Sequence, residues 1–327
     1  MVRSEEKRQQ RDGGFLDIGA TLAVAAADFR SHRRRPVVWL LVLLALGVML
    51  APAYYHAHLH EVRSGHWPIA GLFWPRFRLA EYGGHLVFLL ALACLLLGFD
   101  ARERDTNASM AEALDCRPMS NLAVLLGRLL AVVGATWVPC ALLVALHEVV
   151  ANLARPLGLQ SPTFGVAALV RLLCFDALPA TLLWSGVVML LASVFRSRSL
   201  ALGISLALLG FHVWGVANVP HYLAQAVSTF PDNTSLASDI AAGATLSGLL
   251  QRLALVSAAT ACVVGAARFY PRDDGVSRGL QAWTALGLGT VGVAGISWVA
   301  VSATQDLGER IAGPDRLVAG LGADKLG

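Results

Sequence analysis

Apolar residues along this chain gather into long runs separated by short charged or polar stretches. Seven runs stand out, at about 37–55, 82–99, 122–146, 166–195, 200–218, 248–267 and 280–303. Each approaches or exceeds the ~20 residues a helix needs to cross a ~30 Å hydrocarbon core. Inside lipid such a run must be helical, because no water is present to satisfy backbone N–H and C=O groups. The pattern predicts an all-α, polytopic transmembrane helical bundle of six to seven spans. The fourth run is long and contains Arg171, Asp176 and Pro179, so its first turns are expected at the interface or around a protein-buried cavity. The seventh is Gly-rich (Gly287, Gly289, Gly292, Gly295), a spacing suited to close helix–helix contact.

The polar stretches carry structure of their own. Residues 15–24 are amphipathic and lead through Asp28-Phe29-Arg30 into Arg33-Arg34-Arg35, followed by Pro36. That pattern predicts an interfacial amphipathic helix beside a cationic cluster, with Pro36 at the start of the first span. Between the second and third runs, Arg102-Glu103-Arg104 precedes a short amphipathic helix (Met110, Ala113, Leu114) and a turn at Arg117-Pro118. Ser120 or Asn121 is placed to cap the next span. The chain therefore divides into a cytoplasmic N-terminus (1–36), a transmembrane domain (37–268), and an extra span with a polar tail (269–327).

Charge sets the orientation. Only 15% of the 327 residues are charged while 56% are hydrophobic, against about a quarter charged in soluble domains. With the N-terminus in the cytoplasm, sixteen Lys and Arg fall in cytoplasmic segments and eight on the other side. This bias predicts an N-in, multi-pass protein of the plasma or inner membrane, with the C-terminus outside if the seventh span crosses. The pI of about 9.0 reflects basic residues flanking apolar runs, so nucleic acid is not an expected partner and the lipid bilayer is. The first long apolar run starts at Val37, too far along for a cleavable signal peptide. Five cysteines lie mostly within apolar runs and form no CxxC pair, which argues against a disulfide framework.

Candidate chemistry is sparse. His56, His58 and His60, with Glu61 and His66 nearby, form the one metal-like cluster. On a strand all three imidazoles would face one way; on a helix His56 and His60 would pair. No metal site is assigned to them. His147-Glu148 and His60-Glu61 begin like a zinc-protease helix but lack the second histidine, Ala151 and Ser64 standing in its place. Trp67, Phe73, Trp74 and Phe77 suit an outer aromatic belt. Ionisable residues within the runs are costly and therefore functional candidates: Asp176, Arg171, Glu148, His85, His212, Arg128 and Arg252. Asp176 with Arg171, five residues apart, is the sharpest local pair. Arg128 and Glu148 are expected to reach the interface from span ends. Asp176 and His212 are expected to face the protein interior on a translocation path.

The stretch Arg102-Glu103-Arg104, then Arg117-Pro118-Met119-Ser120 and Leu126-Gly127-Arg128-Leu129, resembles the ABC-2 family of ABC-transporter permeases. Thr106-Asn107-Ala108 departs from that family's usual Gly-Thr. Ser193-Val194-Phe195-Arg196-Ser197-Arg198 is similar to its link between fourth and fifth spans, and the segment ending Phe29-Arg30-Ser31 to its N-terminal interface helix. The resemblance covers about 15–268 in order; the seventh span and tail fall outside it. It implies an exporter membrane subunit that pairs with a second permease, as homo- or heterodimer. Separate ATPase subunits would carry ATP-Mg and dock on a short cytoplasmic coupling helix, where Arg102, Glu103, Arg104, Met110, Leu114 and Arg117 are the expected contacts. No G-x-x-x-x-G-K-[ST] phosphate loop occurs in this chain, so no enzymatic activity and no cofactor of its own are expected. Two other classes compete. One is a histidine-based cofactor or metal protein, for example with haem between His85 and His212; the other is a membrane anchor of a larger complex.

Overall fold

Each apolar run becomes one helix, and the polar residues beside it set where the helix begins. The computed structural model describes residues 17–63, 78–99, 119–157, 161–195, 197–219, 227–231, 246–270 and 278–323. Among them there is no strand. Helix α1 (Ile18–His32) starts where Asp17 Oδ1 accepts the Ala20 N–H at 3.1 Å. Helix α2 (Pro36–Arg63) begins on proline, whose missing N–H is not needed in a first turn. Helix α3 is Leu79–Gly98 and α4 is Asn121–Ala154. Of the two caps expected for α4, Ser120 is the one used: its Oγ accepts the Ala123 N–H at 3.2 Å. Helices α5 (Val166–Val194), α6 (Arg198–Asn218), α7 (Leu246–Phe269) and α8 (Arg278–Ala323) complete the bundle.

Seven of these, α2 to α8, are long and apolar enough to cross a membrane. They make the chain an all-helical, multi-pass membrane protein. Three helices outrun the apolar pattern. Helix α2 continues to Arg63 and α4 to Ala154, since a helix needs no apolar residues to persist past the lipid boundary. The backbone of α8 likewise stays helical to Ala323, where a polar tail is expected after Thr304.

The fourth run is one continuous span with a local irregularity. Pro179 has no N–H to donate to the fourth residue before it, and its ring crowds that carbonyl. The preceding stretch, Arg171–Ala177, is wound as π-helix, and the Leu178 N–H reaches back five residues to the Leu173 carbonyl. The Trp137 indole N–H donates to the same carbonyl at 2.8 Å. One extra residue in the turn rotates the remainder of α5 by about 100° relative to a regular helix.

Packing separates core from lipid. Leu86, Leu90, Val144, Phe164 and Leu172 are buried in one cluster, and Leu97, Leu125, Val132 and Val263 in another. By contrast Leu142, Phe211, Trp214, Trp283 and Trp298 are exposed around the perimeter. So much exposed apolar surface would drive aggregation in water, whereas in a bilayer it is the solvated surface. The Gly-rich α8 lies against α7 on its small residues. A Cβ at Gly292 would stand 3.1 Å from the Ala254 carbonyl oxygen and one at Gly295 2.8 Å from Ala254 Cβ. Ser257 Oγ donates across the same seam to the Leu288 carbonyl at 2.8 Å.

Helix α1 is fastened to the side of α4. Thr21, Val24, Asp28, Phe29 and His32 form its inward stripe, while Ile18, Leu22 and Arg30 are exposed. The close approach is made at Gly127, where a Cβ would lie 2.7 Å from the Thr21 carbonyl oxygen and 2.8 Å from Val24 Cβ. Gly127→Val is therefore expected to push α1 off the bundle at a cost of about 1–3 kcal/mol. The check is thermal unfolding together with limited trypsin digestion, which should cut faster at Arg30–Arg35 in the variant.

Candidate functional site

The two ends of the bundle carry different polar constellations. The near end holds α1, the start of α4 and the end of α7. Here Arg128, expected to reach the interface, is instead buried. Its Nε lies 3.5 Å from Asp28 Oδ2 on α1, and its Nη1 donates to the Tyr270 hydroxyl at 3.2 Å. One arginine thus ties α1, α4 and the end of α7 together, because a buried guanidinium needs several acceptors at once. The chain also leaves and re-enters the bundle here between α3 and α4. Both stems are buried: Leu97 and Gly98 on one side, Met119, Ser120 and Asn121 on the other. Gly98 is close-packed, since a Cβ there would meet Val188 of α5 at 2.5 Å. The expected docking residues Arg102, Glu103, Arg104, Met110, Leu114 and Arg117 lie outside the described residues, as do Trp67, Phe73, Trp74 and Phe77.

At the opposite, far end a short segment, 227–231, irregular from Ser228 onward, is inserted among α5, α6 and α7. Ser228 and Thr229 on it are buried. Irregular backbone within a bundle requires protein partners for its peptide groups, and side chains of α6 and α7 supply several. Arg252 Nη1 donates to the Ser228 carbonyl at 3.3 Å and its Nη2 to the Phe230 carbonyl at 3.0 Å. Gln251 Nε2 donates to the Ser228 carbonyl at 2.9 Å. The Thr229 N–H donates to His212 Nε2 at 3.3 Å, and the Trp184 indole N–H reaches Thr229 Oγ1 at 3.5 Å. The His212 ring packs edge-on to Trp184, centroids 5.6 Å apart, and tilted against Phe230 at 5.5 Å.

The Nη2 of Arg252 that reaches the Phe230 carbonyl also pairs with Asp176 Oδ1 at 2.6 Å, with both side chains more than nine-tenths buried. Asp176 thus has an ion-pair partner across the bundle, Arg252 on α7. Asp176 stands at the end of the π-helical stretch, ten positions into α5, or roughly 15 Å along its axis. Asp176 is buried and His212 half-buried, and both bear on the same inserted segment, Asp176 through Arg252 and His212 directly. Gln251, Ser228, Thr229 and Trp184 escape a reading of the sequence because they belong to no charged or motif-like pattern. Arg252 is visible there as an in-span cation.

Glu148 does something else. It is buried, and its carboxylate accepts the Phe164 N–H (Oε2, 3.0 Å) and the Gly165 N–H (Oε1, 3.0 Å). Those N–H groups stand at the start of α5, where Gly165 supplies no capping side chain and takes φ +88°. Glu148 is thus a cap provided from α4, which favours a negative charge at that helix end. His147 approaches the Pro162 carbonyl at 3.3 Å and Tyr54 bonds Ser161 at 3.1 Å, so the whole 161–165 turn is fastened to α2 and α4.

Among the described residues the remaining histidines do not converge. His56, His58 and His60 lie on the regular helix α2, where alternate positions point to different sides. His56 is half-buried and packs 5.9 Å from the Tyr82 ring, whereas His58 is exposed; the side chain of His60 lies outside the described residues. Among the described residues no group of three His, Cys, Asp or Glu is placed to hold a metal ion. His85 is exposed, while His212 is engaged by Thr229. A scan against protein-family models and a search of curated proteins return no match to this chain.

Proposed function

We propose that this chain is the membrane-spanning subunit of an ABC-2-type exporter, working with a second permease copy and separate ATPase subunits. The observation that carries the reading is the stem of the α3–α4 connection. The segment bearing Arg102-Glu103-Arg104 leaves from one buried, close-packed point (Leu97, Gly98) and returns at another (Met119, Ser120, Asn121). Force applied to it from outside would pass into α3, α4 and, through Gly98 and Val188, α5. In this reading the near end faces the cytoplasm of a cell bounded by the plasma or inner membrane. ATP-Mg binds the partner chain, and the far-end cluster around Asp176 and His212 closes the export path. The bundle supports the division of labour: seven apolar helices are available to form a path, and nucleotide chemistry is left to a partner.

The test is affinity purification of the full chain from its own membrane. An ATPase carrying a phosphate-loop motif is expected to co-purify. Replacing Arg102, Glu103 and Arg104 together by alanine should reduce its recovery on the order of tenfold while the chain itself stays folded. That magnitude corresponds to losing about 1.4 kcal/mol of binding. A membrane anchor without transport would keep its partners after that change.

A further inference from the structure

The near end carries a cationic cleft that the export reading does not use. It is lined by Ala27, Arg30, Ser31, Arg34 and Arg35, with a volume of about 560 Å³. We propose that this cleft is a binding site for the phosphate headgroup of one anionic phospholipid of the adjoining leaflet.

Three features favour a specific site over a diffuse positive fringe. The backbone that carries the arginines is fixed. The Arg33 N–H donates to Phe29 O at 3.0 Å, that of Arg34 to Ser31 O at 3.3 Å and that of Arg35 to His32 O at 2.9 Å. Helix α1 is itself clamped to α4 at Gly127 and through Asp28–Arg128. The donors suit a phosphodiester. Arg30 uses its Nε–H on the Ala26 carbonyl at 3.1 Å, which orients the guanidinium and leaves the terminal nitrogens as a planar fork for paired phosphate oxygens. The Ser31 hydroxyl adds a neutral donor. Finally, the surroundings are those of a lipid. The first span starts at Pro36, directly after Arg35, with Val37, Leu40, Leu43 and Leu44 exposed to receive acyl chains. Trp39 donates its indole N–H to the Arg33 carbonyl at 2.9 Å, at the level where tryptophan marks a membrane interface. A free anion or an acidic peptide would use the charge and leave this apolar wall unused.

The proposal is tested on the full chain, purified into phosphatidylcholine nanodiscs and titrated with phosphatidylglycerol. Binding is read by native mass spectrometry and by the thermal stability of tryptophan fluorescence. Saturable uptake of about one phosphatidylglycerol per chain is expected, with a rise in the unfolding temperature that phosphatidylcholine and inorganic phosphate do not reproduce. Arg30→Gln/Arg34→Gln/Arg35→Gln should weaken that uptake on the order of a hundredfold, at about fivefold for each arginine lost near an anionic surface. Lys7→Gln/Arg8→Gln/Arg11→Gln removes the same charge from the preceding segment and should leave it within about twofold. Equal losses in the two triple variants, non-saturable uptake by the unaltered chain, or an equal response to inorganic phosphate would each overturn the site. The titration of the unaltered chain decides the matter even if the cleft variant does not fold.

Discussion

Replacing Arg252 by alanine is expected to destabilise the bundle by about 3–5 kcal/mol, the cost of leaving a buried carboxylate without its counter-ion. Asp176 and Arg252 are both more than nine-tenths buried and 2.6 Å apart. The change also removes two donors from the Ser228 and Phe230 carbonyls. The 227–231 segment should then lose its place between α5, α6 and α7. Thermal unfolding of the purified chain measures the first effect. Labelling of a cysteine placed at Ser228, which is buried in the intact protein, measures the second and should quicken in the variant. Replacing both partners, Asp176→Leu with Arg252→Met, should cost less than either single change, because no charge is then left unpaired. If Arg252→Ala is as stable as the original and the double change is worse, the ion pair does not hold the segment.

Glu148→Ala should have the next largest effect. It strips the acceptors from two backbone N–H groups at the start of α5, those of Phe164 and Gly165. The Phe164 N–H is buried, and leaving it unpaired costs about 1–3 kcal/mol, whereas Gly165 is exposed and its N–H adds about 1 kcal/mol, so a loss of about 2–4 kcal/mol is expected from the two together. Glu148→Gln keeps one amide oxygen as acceptor and should retain part of that stability. Thermal unfolding of the two variants, with hydrogen exchange at Phe164 and Gly165, separates a capping role from a general loss of charge. An effect of Glu148→Gln equal to that of Glu148→Ala would show that charge, and not hydrogen bonding, is what α5 requires.

How much of this fold is legible in the sequence depends on how local each property is. Span positions are readable because apolar length alone decides them: the run read at 200–218 is the helix Arg198–Asn218, and 248–267 is Leu246–Phe269. The cap at Ser120 and the small-residue seam on α8 are readable for the same reason. Partners across the bundle are not. Asp176 pairs with a residue on another span, and the π-helical stretch before Pro179 changes the phase on which any facing argument would rest. Arg128 and Glu148 look like span-end charges free to reach the interface. Their burial is decided by acceptors and donors supplied from elsewhere, Asp28 and Tyr270 for one and the 164–165 peptide groups for the other. The inserted segment 227–231 has no apolar run and no motif, so nothing in its own residues announces that it is buried. Its burial becomes favourable only once Arg252, Gln251 and His212 are in place around it.

The coupling claim is tested most directly by the ATP hydrolysis rate of the co-purified ATPase in proteoliposomes, measured with and without this chain. The rate is expected to rise when the chain is present. It should fall back to that of the ATPase alone when Arg102, Glu103 and Arg104 are replaced by alanine, while the variant keeps its unfolding temperature. An ATPase rate that is the same with the chain, without it and with the variant would contradict the exporter reading.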